Sequence, residues 1–343
     1  MSTHKAAILT AAGTPLTVQD RLTPQPGPND ILVQIKAVAL NPVDYVQRDL
    51  GMAVYSFPTV LGSDSAGIVV KVGSAVKDPP AVGSRVIAFT SGYYQNSNPD
   101  YGVFQQYALA PSEGVIQLPD SFSFEQGAVF PVTFLTGMSG FWKVGVPLTT
   151  RYKPEDKQCV LVWGAGSAVG ASAVQVAKVL GFRVYATASG HNHEAIKKLG
   201  ADVVFDYKEK DVISQIGDTV KRDGYVLDLV YCATPDCLQQ SLDVLKITKG
   251  PGVAKVSFAP PLLPGAPSAD DVEVSFISLP EGAEERNEHI RYCFHDWLSP
   301  KLQSGAIVPS PAIRVAKGGL QGINDALDDL KGGVSYTKIV VPL

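Results

Sequence analysis

Cysteine is scarce in this chain of 343 residues, with four in all: Cys159, Cys232, Cys237 and Cys293. Their spacing is too irregular for a disulfide framework, so buried reduced thiols of a cytoplasmic protein are expected. Charge is also sparse, at 18% of residues, and nearly balanced, with 29 basic against 33 acidic side chains and a net charge of −4. No basic run exceeds a pair such as Lys197-Lys198 or Lys221-Arg222. Nucleic acid and anionic membrane surfaces are therefore not expected partners. No apolar stretch approaches the roughly 18 residues needed to span a bilayer. The opening Met1-Ser2-Thr3-His4-Lys5 runs into an apolar segment, Ala6 to Leu9, that is too short for a signal sequence. No targeting segment is expected.

What the chain does have is apolar mass. Hydrophobic residues make up 45%, enough for a large core, and the length is about twice that of a usual folding unit, which predicts two domains. Up to about residue 120, short β-rich segments (Ile31 to Val38, Ala66 to Val72, Arg85 to Phe89, Phe104 to Leu109) are punctuated by helix-breaking stretches such as Pro24-Gln25-Pro26-Gly27-Pro28 and Asp78-Pro79-Pro80. They predict a mostly antiparallel β-domain over 1–125.

From Cys159 the texture changes to alternating strands and helices. Val160 to Trp163, Arg183 to Thr187, Val203 to Phe205, Tyr225 to Tyr231 and Val253 to Phe258 read as strands. Helices are expected near 168–180, 192–199, 210–221 and 236–245. Alternation in units of about 30 residues is the pattern of βαβ crossovers on a parallel sheet, expected to span 126–304. A Pro-rich stretch at 309–311, a helix near 321–330 and a strand at 336–341 break the rhythm. The segment 305–343 is expected to complete the first domain.

The most informative segment is Val160-Leu161-Val162-Trp163-Gly164-Ala165-Gly166-Ser167-Ala168-Val169-Gly170. A buried strand runs into a small-residue turn and then a helix, so backbone N–H groups and a positive helix terminus converge where nothing bulky shields them. That is a diphosphate site, with Gly164, Ser167, Ala168, Val169 and Gly170 as its candidate residues. Ser167 is expected to add a hydroxyl donor, and Gly170 to leave room where backbone approaches diphosphate and strand. The next strand ends Thr187-Ala188-Ser189-Gly190-His191-Asn192-His193, with no carboxylate before Glu194. An acid there would take the ribose 2′-hydroxyl of NAD and repel a 2′-phosphate, whereas Ser189, His191 and Asn192 can donate to one. NADPH is the expected cofactor, with Tyr207 as a further donor. His191, His193 and Glu194 look superficially like metal ligands, but their spacing matches no known zinc geometry.

Asn41-Pro42-Val43-Asp44, Leu61-Gly62-Ser63-Asp64-Ser65-Ala66-Gly67, the Gly164 to Gly170 loop, and Lys198-Leu199-Gly200-Ala201-Asp202 followed by Phe205-Asp206-Tyr207 together resemble the medium-chain dehydrogenase/reductase superfamily. The resemblance runs from about Lys5 to the end. It implies an α/β chain with a GroES-like, mostly antiparallel β catalytic domain and a Rossmann doubly wound parallel-sheet domain. Zinc-dependent members carry a cysteine where this chain has Asn41 and Gly-His-Glu where it has Gly62-Ser63-Asp64, so the resemblance points to the zinc-free quinone and enoyl reductase branch. The Gly164, Ser167, Gly170 spacing and the Ser189-x-His191-Asn192 turn are most similar to fungal trans-acting enoyl reductases and related aldehyde reductases. By the same resemblance Thr136 lies beside the nicotinamide ribose and Lys338 approaches that end. Several relatives have a lysine where this chain has Val46, which separates it from their acyl-carrier contacts.

The expected reaction is hydride delivery to the β-carbon of an α,β-unsaturated carbonyl, either a small molecule or a carrier-bound polyketide thioester. Such an addition builds an enolate that needs hydrogen-bond donors in a dry site. By the resemblance, since some enoyl reductases of the superfamily place a tyrosine near this stretch, Tyr55 is the candidate for enolate stabilisation or protonation, and Asn41 is the candidate for positioning substrate or nicotinamide. Direct aldehyde reduction and a non-catalytic NADPH-binding protein are the alternatives, and both monomer and homodimer are compatible with the sequence.

Overall fold

The computed structural model describes residues 2–343. They form two compact units: one holds the residues up to Val132 together with Asn287–Gly305 and Ala312–Leu343, the other Thr133–Arg286 with Ala306–Pro311.

The first unit is built on a seven-stranded sheet whose centre is Asp30–Ala39. That strand has apolar residues on both faces and is buried along most of its length, as a strand paired on both sides must be. It pairs antiparallel with Asp64–Val72, Tyr107–Pro111 and Thr337–Pro342. A smaller three-stranded sheet of Thr17–Leu22, Thr3–Leu9 and Thr59–Val60 lies in the same unit. The register is what matters for chemistry. Ala39 faces Asp64 on one side and Val340 on the other. Continuing the antiparallel pairing by two residues sets Lys338 against Asn41, just beyond the end of the central strand. There Pro42 opens the helix Pro42–Leu50, its fixed φ suited to a first helical position.

The second unit carries six parallel strands in the order Val203–Asp206, Arg183–Ala188, Cys159–Trp163, Leu229–Cys232, Ala254–Phe258, Val272–Phe276. The first strand in sequence, Cys159–Trp163, lies inside the sheet, so strand order reverses beside it. Its carboxyl end is the switch point where open α/β sheets bind ligands. The helix Ala168–Leu180 follows it. Ser167 caps its start, Gly181 at φ +90° ends it in the left-handed conformation, and small residues from Gly170 to Ala173 let it pack down closely. The Gln175 side-chain amide, nine-tenths buried and more, bonds the backbone of Val308 through both its nitrogen and its oxygen, and Ser310 Oγ at 2.9 Å.

The helices Pro42–Leu50 and Pro131–Lys143, the edge strand Val272–Phe276 and the helix Ala283–Arg291 are not among the elements that the sequence reading named. The edge strand Val272–Phe276 is only half-buried, and Ala283–Arg291 is a helix of mostly polar residues. The helix lacks the apolar periodicity that makes an element visible in sequence, whereas Val272, Val274 and Phe276 alternate with Glu273 and Ser275 as in a half-buried strand, a short signal that the sequence reading passed over. The π-helical turn Tyr292–Leu298 that follows belongs to the first unit, where Phe294 stacks on Phe89 at 6.0 Å. No helix among the described residues is long and apolar enough to cross a membrane.

Candidate active site

The loop after Trp163 is shaped by its own hydrogen bonds. Gly164 adopts φ +82°, a left-handed conformation, and donates its N–H to Thr187 Oγ1 at 3.0 Å, while Ala165 N–H reaches the Thr187 carbonyl at 2.9 Å. The turn is thereby tied to the neighbouring strand. Ser167 accepts from Gly170 N–H at 3.0 Å and donates its hydroxyl to the Gly164 carbonyl at 2.8 Å. The donor expected for the diphosphate is therefore spent inside the loop, and Ser167 acts as an N-cap. Ala168 and Val169 sit in the first turn, whose N–H groups have no acceptor within the helix, so these two amides are what the loop offers an anion. At Gly170 a methyl group would meet the Gly164 carbonyl oxygen at 2.2 Å and Ala165 Cα at 2.8 Å. The loop's own backbone already denies a side chain room at this position.

Beyond the strand Arg183–Ala188, Ser189 Oγ donates to the Tyr207 hydroxyl at 3.3 Å. Ser189 and Asn192 are buried, and His191 and Tyr207 are exposed. Asp206 turns its carboxylate onto the N–H groups of Gly190 and Lys208, at 2.9 and 3.0 Å, and these backbone donors hold its carboxyl below the usual range. Lys208 places its ammonium 5.9 Å from the Tyr207 ring centre, adding positive charge that the sequence reading did not single out. Its signal was adjacency to Tyr207, weak because a strand-end lysine is ordinarily a solvated surface residue. Thr136, on the helix Pro131–Lys143, is half-buried, and its carbonyl accepts the buried Tyr231 hydroxyl at 2.9 Å.

In the first unit the register described above assembles a buried polar set. Lys338 Nζ donates to Asn41 Oδ1 at 2.6 Å and lies 3.1 Å from Asp64 Oδ2. Asn41 Nδ2 donates to that same carboxylate oxygen at 2.8 Å, and the other Asp64 oxygen accepts Val132 N–H at 2.6 Å. Lys338 is 3% exposed and Asp64 fully buried. Removing one partner of such a pair leaves an uncompensated buried charge and typically costs about 3–5 kcal/mol. Asp44 sits one turn into the following helix. Its Oδ2 accepts Asn41 N–H at 2.7 Å, whereas its Oδ1 has no partner. Burial pushes its carboxyl up to about 7, with the Asn41 bond opposing that rise and Asp64 adding to it.

Lys338 thus places its ammonium on Asn41 and Asp64. The sequence reading named Lys338 and Asn41 without joining them and missed Asp64, because only strand pairing brings residues so far apart in sequence together; it missed Asp44 too, although three positions from Asn41 is the spacing of a helix capping box. As a donor set for zinc it fits poorly: one carboxylate and one amide oxygen, both already facing a cation, with no thiolate or imidazole. Elsewhere, His193 donates from Nε2 to the Ala188 carbonyl at 3.1 Å and Glu194 pairs with Lys197 at 2.9 Å. No group of three or more metal-binding side chains occurs among the described residues.

Tyr55 is 60% exposed, with its ring 5.5 Å from that of Tyr93 and its backbone N–H on Ser97 Oγ at 2.8 Å. A hydrogen bond with Tyr93 pushes its phenol above the usual range. Tyr93 and Ser97 also line a small cleft with Gln47, Val54 and Ser63.

Residues 27–120 match the alcohol dehydrogenase GroES-like domain, and residues 168–251 match the zinc-binding dehydrogenase family. The chain is 55% identical to the trans-enoyl reductase tndF of Aspergillus flavipes, over 99% of each chain. It is 56% identical to the trans-enoyl reductase tazE of Aspergillus terreus, over 80% of this chain and 91% of that one. Among solved structures, an alcohol dehydrogenase superfamily protein from Novosphingobium aromaticivorans superposes with a TM-score of 0.81 at 25% identity, covering 99% of both chains. With a six-stranded parallel sheet, a glycine-rich turn at its switch point and full-length relatives of this similarity, the chain belongs to the medium-chain dehydrogenase/reductase superfamily, alongside the fungal trans-enoyl reductases.

Proposed function

We propose that this protein is an NADPH-dependent, zinc-independent reductase that delivers hydride to the β-carbon of an α,β-unsaturated carbonyl, with a carrier-bound polyketide thioester or a small enone, enal or quinone as its substrate class. The full-length similarity to reductases named for enoyl groups carries this reading. When bound, a dihydronicotinamide supplies the hydride. The chain's residues do the rest. The first-turn amides of Ala168 and Val169 and the helix terminus hold the diphosphate, with Gly164 and Gly170 keeping the turn tight. Ser189, Asn192, His191 and Tyr207, with Lys208 nearby, favour a 2′-phosphate, because together they offer donors and positive charge where NAD enzymes place a carboxylate. Thr136 remains the candidate for the nicotinamide end, whereas Lys338, its ammonium held by Asn41 and Asp64, acts there only through Asn41.

In the first unit Asn41 positions the reacting carbonyl or the nicotinamide through its amide. Tyr55 stabilises the enolate or protonates the α-carbon. Four free, buried cysteines suit a reducing compartment such as the cytoplasm. The test is the product of one enal incubated with NADPH and a chelator. A saturated aldehyde is expected. An allylic alcohol would mean carbonyl reduction, tight NADPH binding without turnover would mean a binding protein, and turnover lost to the chelator and restored by zinc would overturn metal independence.

A further inference from the structure

An asparagine amide has two nearly isosteric orientations, related by exchanging its oxygen and nitrogen. Only one is allowed at Asn41. Its oxygen faces the Lys338 ammonium at 2.6 Å and its nitrogen the Asp64 carboxylate at 2.8 Å, so the exchanged orientation would press NH2 against a cation and oxygen against an anion. The carboxylate is itself held from its far side by Val132 N–H, and Asn41 is only 6% exposed, so neither partner can swing away into water. One of the two amide hydrogens goes to Asp64, which leaves the second with a determined direction. A buried ion pair is seldom a net gain in stability over apolar residues of the same volume, so its value lies in what it specifies.

We infer that Lys338 and Asp64 are positioning residues, which fix the Asn41 amide so that its second N–H is presented as a hydrogen-bond donor to the reacting carbonyl. The inference rests on the reductase function proposed above and on the reading in which Asn41 touches that carbonyl. Neither Lys338 nor Asp64 has to touch the substrate.

The experiment uses the full chain with NADPH and an enal. It compares wild type, Lys338→Met, Asp64→Asn and the double variant by melting temperature, NADPH affinity, and kcat and KM measured separately. Each single variant strands a charge and should melt lower than wild type. The double variant strands none and should regain most of that loss. If the pair positions Asn41, the double variant still has kcat reduced about tenfold or more while its NADPH Kd stays within roughly threefold of wild type. A pair that serves stability alone would let kcat recover with the melting temperature, and a double variant within roughly twofold of wild-type kcat overturns the inference.

Asp64→Glu covers the case in which the double variant fails to fold. It keeps the ion pair and moves the acceptor by one methylene, so kcat should fall about fivefold or more with NADPH affinity retained, and unchanged kcat overturns the inference. The two levels separate cleanly. Absence of turnover in the wild type overturns the reductase function and the inference with it, whereas wild-type turnover that survives both Asp64→Glu and the double substitution overturns the inference alone.

Discussion

Asp44 is a carboxylic acid with no access to water, one bonded oxygen and one orphaned oxygen. Its folded pKa of about 7 lies above the ordinary 3.8, so folding favours the protonated form. The stability this contributes is complete below pH 4 and is lost as pH rises through 7, by at most about 4 kcal/mol for a shift of this size. Asp64 and Lys338 are the charged groups acting on it, with opposite signs. Asp44→Asn keeps an acceptor for Asn41 N–H and removes the titration. Urea unfolding at pH 5 and pH 8 should therefore show a smaller loss of stability on going to the higher pH in the variant than in wild type. A second prediction concerns Tyr55, whose exposed phenol is free of any packing role in the core. Tyr55→Phe should leave the melting temperature and NADPH affinity unchanged while kcat falls about a hundredfold, the usual scale for removing a general acid. Unchanged kcat would leave Tyr55 a surface residue.

At the scale of the element, the strand–turn–helix of residues 159–180 is held by contacts inside the chain before any ligand arrives. Ser167 caps the helix with its hydroxyl fully engaged, and Gly170 is closed off by the Gly164 carbonyl. Ser167→Ala should therefore cost about 1 kcal/mol of stability, the usual value of an N-cap, with NADPH affinity changed only by a small factor. Gly170→Ala should lower the melting temperature without cofactor by more, since overpacking against fixed backbone costs roughly 1–3 kcal/mol. Melting curves and NADPH titration on the two purified variants check both statements. A Ser167→Ala protein of normal stability with greatly weakened NADPH binding would return the hydroxyl to the diphosphate. This element was legible from sequence because everything that shapes it is local: a run of apolar strand residues, small residues at the turn, and a capping serine at the helix start. The polar helix Ala283–Arg291 was not, because its residues are mostly polar and carry no apolar periodicity.

At the scale of the whole molecule, the proposed preference for NADPH rests on what stands at the end of one strand. Donors and a lysine near Ser189 and Tyr207, with the Asp206 carboxylate occupied by backbone N–H groups, should give NADPH at least a tenfold advantage over NADH, about 1.4 kcal/mol, by isothermal titration. Equal affinities would remove the 2′-phosphate site. The sequence by itself determined the parallel-sheet domain, the glycine-rich turn and the strand end beyond it, because in βαβ units the strand, the turn and the helix are neighbours along the chain. Only the tertiary structure decided that Asn41, Asp64 and Lys338 meet. They come from three strands' ends separated by up to 297 positions, and their meeting depends on strand register, where a shift of one residue would have turned Lys338 to the opposite face of its strand.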